Sequence, residues 1–550
     1  MVIGTERRAA HAPENAPAAG PLRPPLGART VVAAGLLTAA VTVTCVTFWW
    51  IGLSPSTLAA GLGDARRLLE RMLPPEFPAA GDIAALIVET LLIAVAGTGL
   101  AAAASVPLAF AAARTRPGRS WTRSAARLVI VLTRAVPTLV FAILFVRAFG
   151  LGPLAGALAV AVHSVGMIAK LLTDAIEEAD PLPAEAVRAC GARETQVALS
   201  NVLPRVLPAF VAAVLYRLDI NIRASSVLGV VGAGGIGVAL QTALGSLNYR
   251  RAAGIICVII VLILLLELLS VVIGRRSGQD RSAGPAALPA SARARHDVGW
   301  DRHRALRFAG AGTAVVIFLA ALWSLDPRPD RLADAWPNTR EMLTGMWPPA
   351  FSAEVFTGVL ESLLIALGAA SVGALGGLAL ALLTAGNVAP WRPLAAIVRV
   401  LVVVVRGIPD LVYALLFVAA LGLGPFAGFL ALWISCTALA AKFFTDALER
   451  LDPVPHEALT SVGATRPQAF AGGIWPQFVP SFIGNGLFVA DLALRESIVL
   501  GVVGAGGVGY LMQESIATLR YDVTCAIVIV ITVVVYGIET LARLARRHLL

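Results

Sequence analysis

Apolar runs long enough to cross a bilayer alternate along this chain with short polar segments in which arginine collects. Residues 31–53, 83–113, 252–274 and 523–541 carry at most one charge each, and a helix needs about 20 such residues to span the hydrocarbon core. Loops on the cytoplasmic face carry the excess of Lys and Arg. The arm 1–29, the segment 114–127, the stretch 275–304 and the end 543–547 are all basic. All four are therefore predicted on the cytoplasmic side, with both chain ends, and each half must cross an even number of times. Spans near 30–52, 84–112, 126–148, 152–172, 205–228 and 252–274 meet that condition, followed by 304–324, 357–385, 396–420, 424–442, 477–500 and 523–545. The predicted fold is all-α, with about 12 transmembrane helices.

The two sets of six are copies. Arg134-Ala-Val-Pro137 recurs as Arg406-Gly-Ile-Pro409, an offset of 272 residues (406 less 134). The same offset carries Glu89 onto Glu361, Gly150-Leu-Gly-Pro153 onto Gly422-Leu-Gly-Pro425, and Leu228-Gly-Val-Val-Gly-Ala-Gly-Gly235 onto Leu500-Gly-Val-Val-Gly-Ala-Gly-Gly507. The chain's two lysines, Lys170 and Lys442, are also equivalent. Both copies start and finish on one side, so the repeats are parallel. The predicted organisation is a cytoplasmic tail over 1–29, a first membrane domain over 30–274, a cytoplasmic Arg/Ala/Pro-rich linker over 275–303 that reads as flexible, and a second membrane domain over 304–550.

Composition agrees. The 550 residues are 58% hydrophobic and 14% charged, which excludes an ordinary soluble protein. The formal charge of +10 lies in loops between apolar runs rather than on one soluble face, so it signals topology and not nucleic acid. Cys45, Cys190, Cys257, Cys436 and Cys525 are scattered and give no disulfide or metal pattern. The basic arm is long and polar for a cleaved signal peptide, which makes 31–53 a retained first span.

The predicted topology puts 173–203 and 445–475 in the cytoplasm. They contain Glu185-Ala-Val-Arg-Ala-Cys-Gly191 followed by Leu203-Pro204, and Glu457-Ala-Leu-Thr-Ser-Val-Gly463 followed by Trp475-Pro476. Glycine accommodates the left-handed conformation that ends a short helix. Pro204 and Pro476 can open the next span, where a missing N–H costs little. Each segment thus reads as a helical elbow, with an ordinary amphipathic loop as the plainer alternative. The spacing resembles that of ABC importer permeases, whose cytoplasmic loop runs Glu-Ala-Ala, three residues, Gly, nine residues, Ile-x-Leu-Pro. Glu185, Ala186, Gly191, Leu203 and Pro204 match it, as do Glu457, Ala458, Gly463 and Pro476. Asn201 and Gly473 stand at the Ile position, Trp475 at the Leu, and Val187 and Leu459 at the third.

The resemblance implies the type I, methionine-permease-like transmembrane fold, elbows seated on a cytoplasmic ABC ATPase in two copies, and an extracytoplasmic substrate-binding protein. It places the chain in a bacterial plasma (inner) membrane as a multi-pass permease, not an enzyme and with no cofactor of its own; ATP and Mg would be bound by the partner. The sequence has no G-x-x-x-x-G-K-[ST] phosphate loop, as that division of labour requires.

Gly232-Ala-Gly-Gly-Ile-Gly237 and Gly504-Ala-Gly-Gly-Val-Gly509 match the dinucleotide fingerprint G-x-G-x-x-G. That fingerprint needs a preceding strand and an acid about 20 residues on. Here a span precedes it, and no acid lies between Gly237 and Glu267. Irregular backbone at membrane depth belongs where it is buried in protein or lines a cavity. Gly232, Gly234, Gly235, Gly237, Gly504, Gly506, Gly507 and Gly509 are therefore candidates for an outer gate or re-entrant wall, with close helix packing as the alternative.

Arg134, Arg223, Arg406 and Arg495 fall inside predicted spans, where charge is costly and faces a cavity or a partner. They suit an anion pathway of planar donor forks. Equally, Asp219 and Asp491 could neutralise Arg223 and Arg495 while Arg134 and Arg406 reach toward the surface. The stretch Leu215-Tyr-Arg217-x-Asp-Ile-Asn-Ile-Arg223, with the Arg134 and Gly-rich motifs, resembles the phosphonate/phosphate branch of the permeases over roughly residues 85–275 and 357–547. The second copy reads Phe488-Val-Ala-Asp491-Leu-Ala-Leu-Arg495, with Val489 opposite Arg217 and Ala493 opposite Asn221. The resemblance implies import of a small oxyanion, phosphonate, phosphate or phosphite. Methionine or another small solute remains open within the class, as does an ion-coupled secondary transporter outside it.

Overall fold

The computed structural model describes residues 28–52, 55–114, 120–276, 302–325, 329–389 and 391–549. The predicted N-terminal tail and the linker lie, apart from their end residues, outside the described residues. Eleven helices form the first repeat: α1 (Ala28–Ile51), α2 (Pro55–Met72), α3 (Ala80–Ala112), α4 (Ser120–Ala135), α5 (Thr138–Phe149), α6 (Pro153–Glu178), α7 (Leu182–Ala189), α8 (Glu194–Val197), α9 (Leu203–Leu228), α10 (Ile236–Gly245) and α11 (Tyr249–Arg276). The second repeat follows the same order: α12 (Arg302–Ser324), α13 (Pro329–Gly345), α14 (Ala353–Thr384), α15 (Arg392–Gly407), α16 (Asp410–Leu421), α17 (Pro425–Glu449), α18 (Val454–Ser461), α19 (Arg466–Ala469), α20 (Trp475–Val502), α21 (Val508–Ala517) and α22 (Tyr521–Leu549). The offset found in the sequence therefore holds for the elements.

Among the described residues eight helices are long and apolar enough to cross a membrane, and two bent pairs bring the number to ten. The first helix of each repeat adds a shorter apolar stretch, Leu37–Ile51 and Phe308–Ser324, where the first spans are predicted. The third predicted span of each copy differs from expectation. It is broken, bending by 93° between α4 and α5 and by 81° between α15 and α16. Pro137 and Pro409 cause the break: each starts the new helix in an extended conformation, lacks an N–H, and disfavours helical geometry in the residue before it.

Helices α2 and α13 are not predicted by the apolar runs, because both are rich in charge and bury only one face. They lie at the end of the bundle away from the elbows and cross over. Leu68 and Met72 of α2 join a buried cluster with Leu411 and Leu415 of α16, and α13 packs on α5. The first helices are exchanged as well. Helix α1 packs on α14, where Thr47 Oγ1 donates to the Leu364 carbonyl at 2.9 Å, and α12 packs on α3. The repeats thus clasp each other.

Within each repeat small residues let the long helices approach closely, the packing mode available where lipid removes most of the hydrophobic drive. A Cβ on Gly97 of α3 would sit 2.6 Å from Val160 of α6, and one on Gly377 of α14 would sit 2.5 Å from Ala440 of α17. At the elbow end both copies close with the same ion pair: Arg127 to Glu177 and Arg399 to Glu449, each 2.7 Å. Trp49, Trp50, Trp323, Trp336 and Trp347 are exposed toward one end and Trp121 and Trp391 toward the other, as interfacial aromatics are.

Candidate functional site: two elbows, a paired vestibule and the charges between

Each elbow is built as its glycine requires. Helix α7 ends where Gly191, at φ +83°, donates its N–H to Arg188 O at 2.9 Å; α18 ends where Gly463, at φ +88°, donates to Thr460 O at 3.1 Å. The chain then turns through α8 or α19 and a single π turn into α9 or α20, with Pro204 and Pro476 in the first turn. Glu185, Ala186, Glu457 and Ala458 are exposed, and so are the equivalent apolar residues Leu182 and Val454. The two elbows are braced differently. In the first, Glu194 accepts from Arg188 at 2.8 Å, which holds that guanidinium above its ordinary pKa. In the second these positions are Arg466 and Thr460, and the brace is steric. Gly473 lies so near α18 that a Cβ would come within 2.8 Å of the His456 backbone. That close approach explains glycine where the resemblance expects Ile.

At the far end, α9 and α20 stop at the Gly-rich segments. Gly232, Gly234 and Gly235 take φ of +84°, +84° and +75°, and Gly504, Gly506 and Gly507 take +89°, +81° and +76°, conformations that favour glycine. The chain reverses there, so that α10 and α21 fold back along the span they follow. Side chains from the second span fix the reversal. Thr90 Oγ1 accepts the Ile236 N–H at 2.9 Å, Ser362 Oγ accepts the Val508 N–H at 2.9 Å, and Glu361 accepts the Gly507 N–H at 3.2 Å. Gly152 donates to the Gly232 carbonyl at 3.0 Å, and Gly424 to that of Gly504 at 2.9 Å.

Between the two reversals lies a cavity of about 750 Å³. Its lining comes in repeat-related pairs: Ile143 with Leu415, Leu151 with Leu423, Gly232 with Gly504, and Gln241 with Gln513. Tyr510 and Glu514 break the symmetry, replacing Val238 and Thr242 of the first copy. The Gly-rich segments therefore form a wall of this vestibule, with Gly232 and Gly504 on its surface.

The four arginines singled out in the sequence all have partners. Arg223 binds Asp219 at 2.8 Å and Arg495 binds Asp491 at 3.0 Å, each one helical turn apart. Arg134, in the last turn of α4, reaches across the repeats to Glu539 of α22 at 3.3 Å, and Arg495 lies 3.9 Å from the same carboxylate. Arg406, in the last turn of α15, is not free either. Glu539 is a participant that the sequence reading passes over. Its signal was present, as a lone carboxylate inside the apolar run 523–541 with Glu267 as its repeat equivalent.

A family model described as the binding-protein-dependent transport system inner membrane component matches the chain twice, over residues 105–279 and 354–550. The chain belongs to that family. As an inner membrane component it is a permease subunit and not an enzyme, and ATP hydrolysis resides on a separate subunit. Among relatives of this inner membrane component, the phosphate-import permease protein PhnE of Mycolicibacterium smegmatis is 44% identical over 509 residues, 92% of this chain and 93% of its own. The phosphite transport system permease protein PtxC of Stutzerimonas stutzeri is 40% identical over 223 residues, 40% of this chain and 81% of its own. The putative cryptic phosphonate transport system permease protein PhnE2 of Escherichia coli is 41% identical over 113 residues, 20% of this chain and 93% of its own.

Proposed function

We propose that this chain forms the entire translocation pathway of an ATP-driven importer for phosphate, phosphite or a phosphonate. The single observation that carries the whole-pathway reading is the vestibule, whose walls come in equivalent pairs from two clasped copies of one family domain. The names of the relatives carry the substrate class. In this reading the first permease domain covers 30–274 and the second 304–550, with both termini and the linker in the cytoplasm. An extracytoplasmic binding protein delivers the oxyanion to the vestibule. Two copies of an ATPase, which bind ATP and Mg, seat on the elbows around Glu185, Ala186, Gly191 and Pro204 and around Glu457, Ala458, Gly463 and Pro476. Their closure switches the bundle between outward-facing and inward-facing states, and the Gly-rich walls are the outer gate.

The passage between is lined by Arg134, Arg223, Arg406 and Arg495 with Asp219 and Asp491. Arg134, Arg223 and Arg495 sit in ion pairs with Glu539, Asp219 and Asp491 rather than as bare anion forks. A buried pair is weak evidence for stability, and only the contacts of Arg134 and Arg495 with Glu539 join different helices.

The test is uptake of labelled phosphate into vesicles that hold the chain with its ATPase and binding protein. Uptake is expected only with ATP on the ATPase side, and excess phosphite or methylphosphonate should depress it while methionine does not. Uptake that persists without the ATPase would identify a secondary transporter, and competition by methionine alone would move the substrate to the amino-acid class.

A further inference from the structure

Arg217 is a membrane cation that stands outside the ion-pair lattice among the described residues. Arg217 lies on α9 roughly 20 Å of helix from Leu203, and it is 6% exposed. Its one hydrogen bond among the described residues runs from Nε to Ser164 Oγ at 3.0 Å, and no described carboxylate pairs with it. The two terminal nitrogens of its guanidinium have no acceptor among the described residues. Its surroundings are neutral dipoles. Buried Asn221 donates from Nδ2 to Ser164 Oγ at 2.9 Å and to Thr98 Oγ1 at 2.8 Å, tying α9 to α6 and α3. A buried cation without a counter-charge is costly, and an ionisable group deep in a span marks a pathway or a partner.

The second repeat supplies an internal control. At the offset of 272, Thr98, Ser164, Arg217 and Asn221 become Ala370, Cys436, Val489 and Ala493. All four replacements are buried in the corresponding helices α14, α17 and α20. The same three-helix packing is thus achieved with apolar and thiol side chains, so the fold does not require the polar set. What remains for it is a ligand that brings negative charge and several acceptor oxygens to a planar donor fork.

We infer that Arg217, positioned by Ser164 and Asn221, is a one-sided subsite for a tetrahedral oxyanion within the membrane, present in the first repeat and absent from the second. The inference rests on the oxyanion reading above and deepens it. Substrate is held by the first repeat alone, because the second has only buried apolar and thiol side chains at the equivalent positions. The arrangement favours release, since a second guanidinium across the path would clamp the anion from both sides.

The experiment copies the second repeat into the first. A variant with Thr98→Ala, Ser164→Cys, Arg217→Val and Asn221→Ala is reconstituted with the ATPase and binding protein and compared with Arg217→Lys and with wild type for uptake of labelled phosphate. The fourfold variant is expected to assemble at wild-type yield and to keep ATP hydrolysis stimulated by the binding protein. Its uptake should fall at least tenfold, and Arg217→Lys should retain more uptake than the fourfold variant. Wild-type uptake by the fourfold variant overturns the inference, and so does its failure to assemble, which would make the cluster structural. Wild-type vesicles that accumulate none of the three oxyanions would instead overturn the substrate reading itself.

Discussion

Replacing Gly191 and Gly463 together by valine is expected to abolish ATP-driven uptake, by at least tenfold, while the membrane bundle still assembles. Both glycines sit at positive φ with nothing within 4 Å of a would-be Cβ. The penalty therefore comes from the backbone alone, about 1–2 kcal/mol at each site for a residue forced into the left-handed region, and a β-branched side chain makes it worse. No core contact is lost, because the turn is exposed. The chain can escape the strain only by reshaping the turn between α7 and α8, or between α18 and α19. That re-aims the surface bearing Leu182 and Glu185, or Val454 and Glu457, on which we propose that the ATPase seats. The checking measurement pairs vesicle uptake with the ATPase rate: hydrolysis that continues without transport shows uncoupling. Undiminished uptake in the double variant would remove the elbows from the coupling route. The single Gly191 variant should be the milder one, since the Arg188–Glu194 ion pair still ties the two arms of its elbow.

The second large effect concerns the vestibule wall and is an effect on folding. Gly509 lies where α21 folds back on α20, and a Cβ there would come 2.0 Å from the Ile498 carbonyl oxygen, 2.8 Å from Val502 N and 2.9 Å from Gly501 Cα. All three are main-chain atoms of a packed span, so no side chain can rotate to make room. Gly237 has the milder version of the same contact, 2.8 Å from the Ser226 carbonyl oxygen. Overpacking of a core costs about 1–3 kcal/mol where neighbours can shift, and here they cannot. Gly509→Val is therefore expected to give little assembled protein, with Gly509→Ala intermediate and Gly237→Ala less severe. Yield and thermal midpoint in detergent check that order. Equal stability of Gly509→Val and wild type would mean that the reversal is not packed as described.

The long spans were legible from the length of their apolar runs, and the copy at 272 residues gave the central spans of the first half a counterpart in the second. The starts of α6, α9 and α11 fall within a few residues of expectation. The break between α4 and α5 had a local signal, Pro137, but continuous hydropathy on both sides masked it; only the geometry shows the chain turning there. Helices α2 and α13 escaped notice for the opposite reason. Asp64, Arg66, Arg67, Glu70 and Arg71 lower the hydropathy of α2, and its buried face is completed only when α16 of the other repeat docks beside α11.

The functional features divide in a similar way. The elbows could be placed from spacing, because a glycine C-cap and a proline helix start are local devices. The vestibule could be suspected from the glycines but not shaped, since its walls come from residues 272 apart in sequence. Long-range pairs were out of reach: Arg134 and Glu539 lie 405 positions apart, and nothing in either segment names the other. The contrast between Arg217 and Val489 was visible as an asymmetry of sequence. Its meaning came only when neighbouring arginines proved to be paired and Arg217 did not.

The most direct measurement is the subunit mass ratio of the purified transporter by native mass spectrometry. One copy of this 57.0 kDa chain bound to two ATPase subunits is the expected result, because each half carries its own elbow and the clasped halves close a single vestibule. A complex holding two copies of the chain would contradict the view that one polypeptide supplies the whole passage.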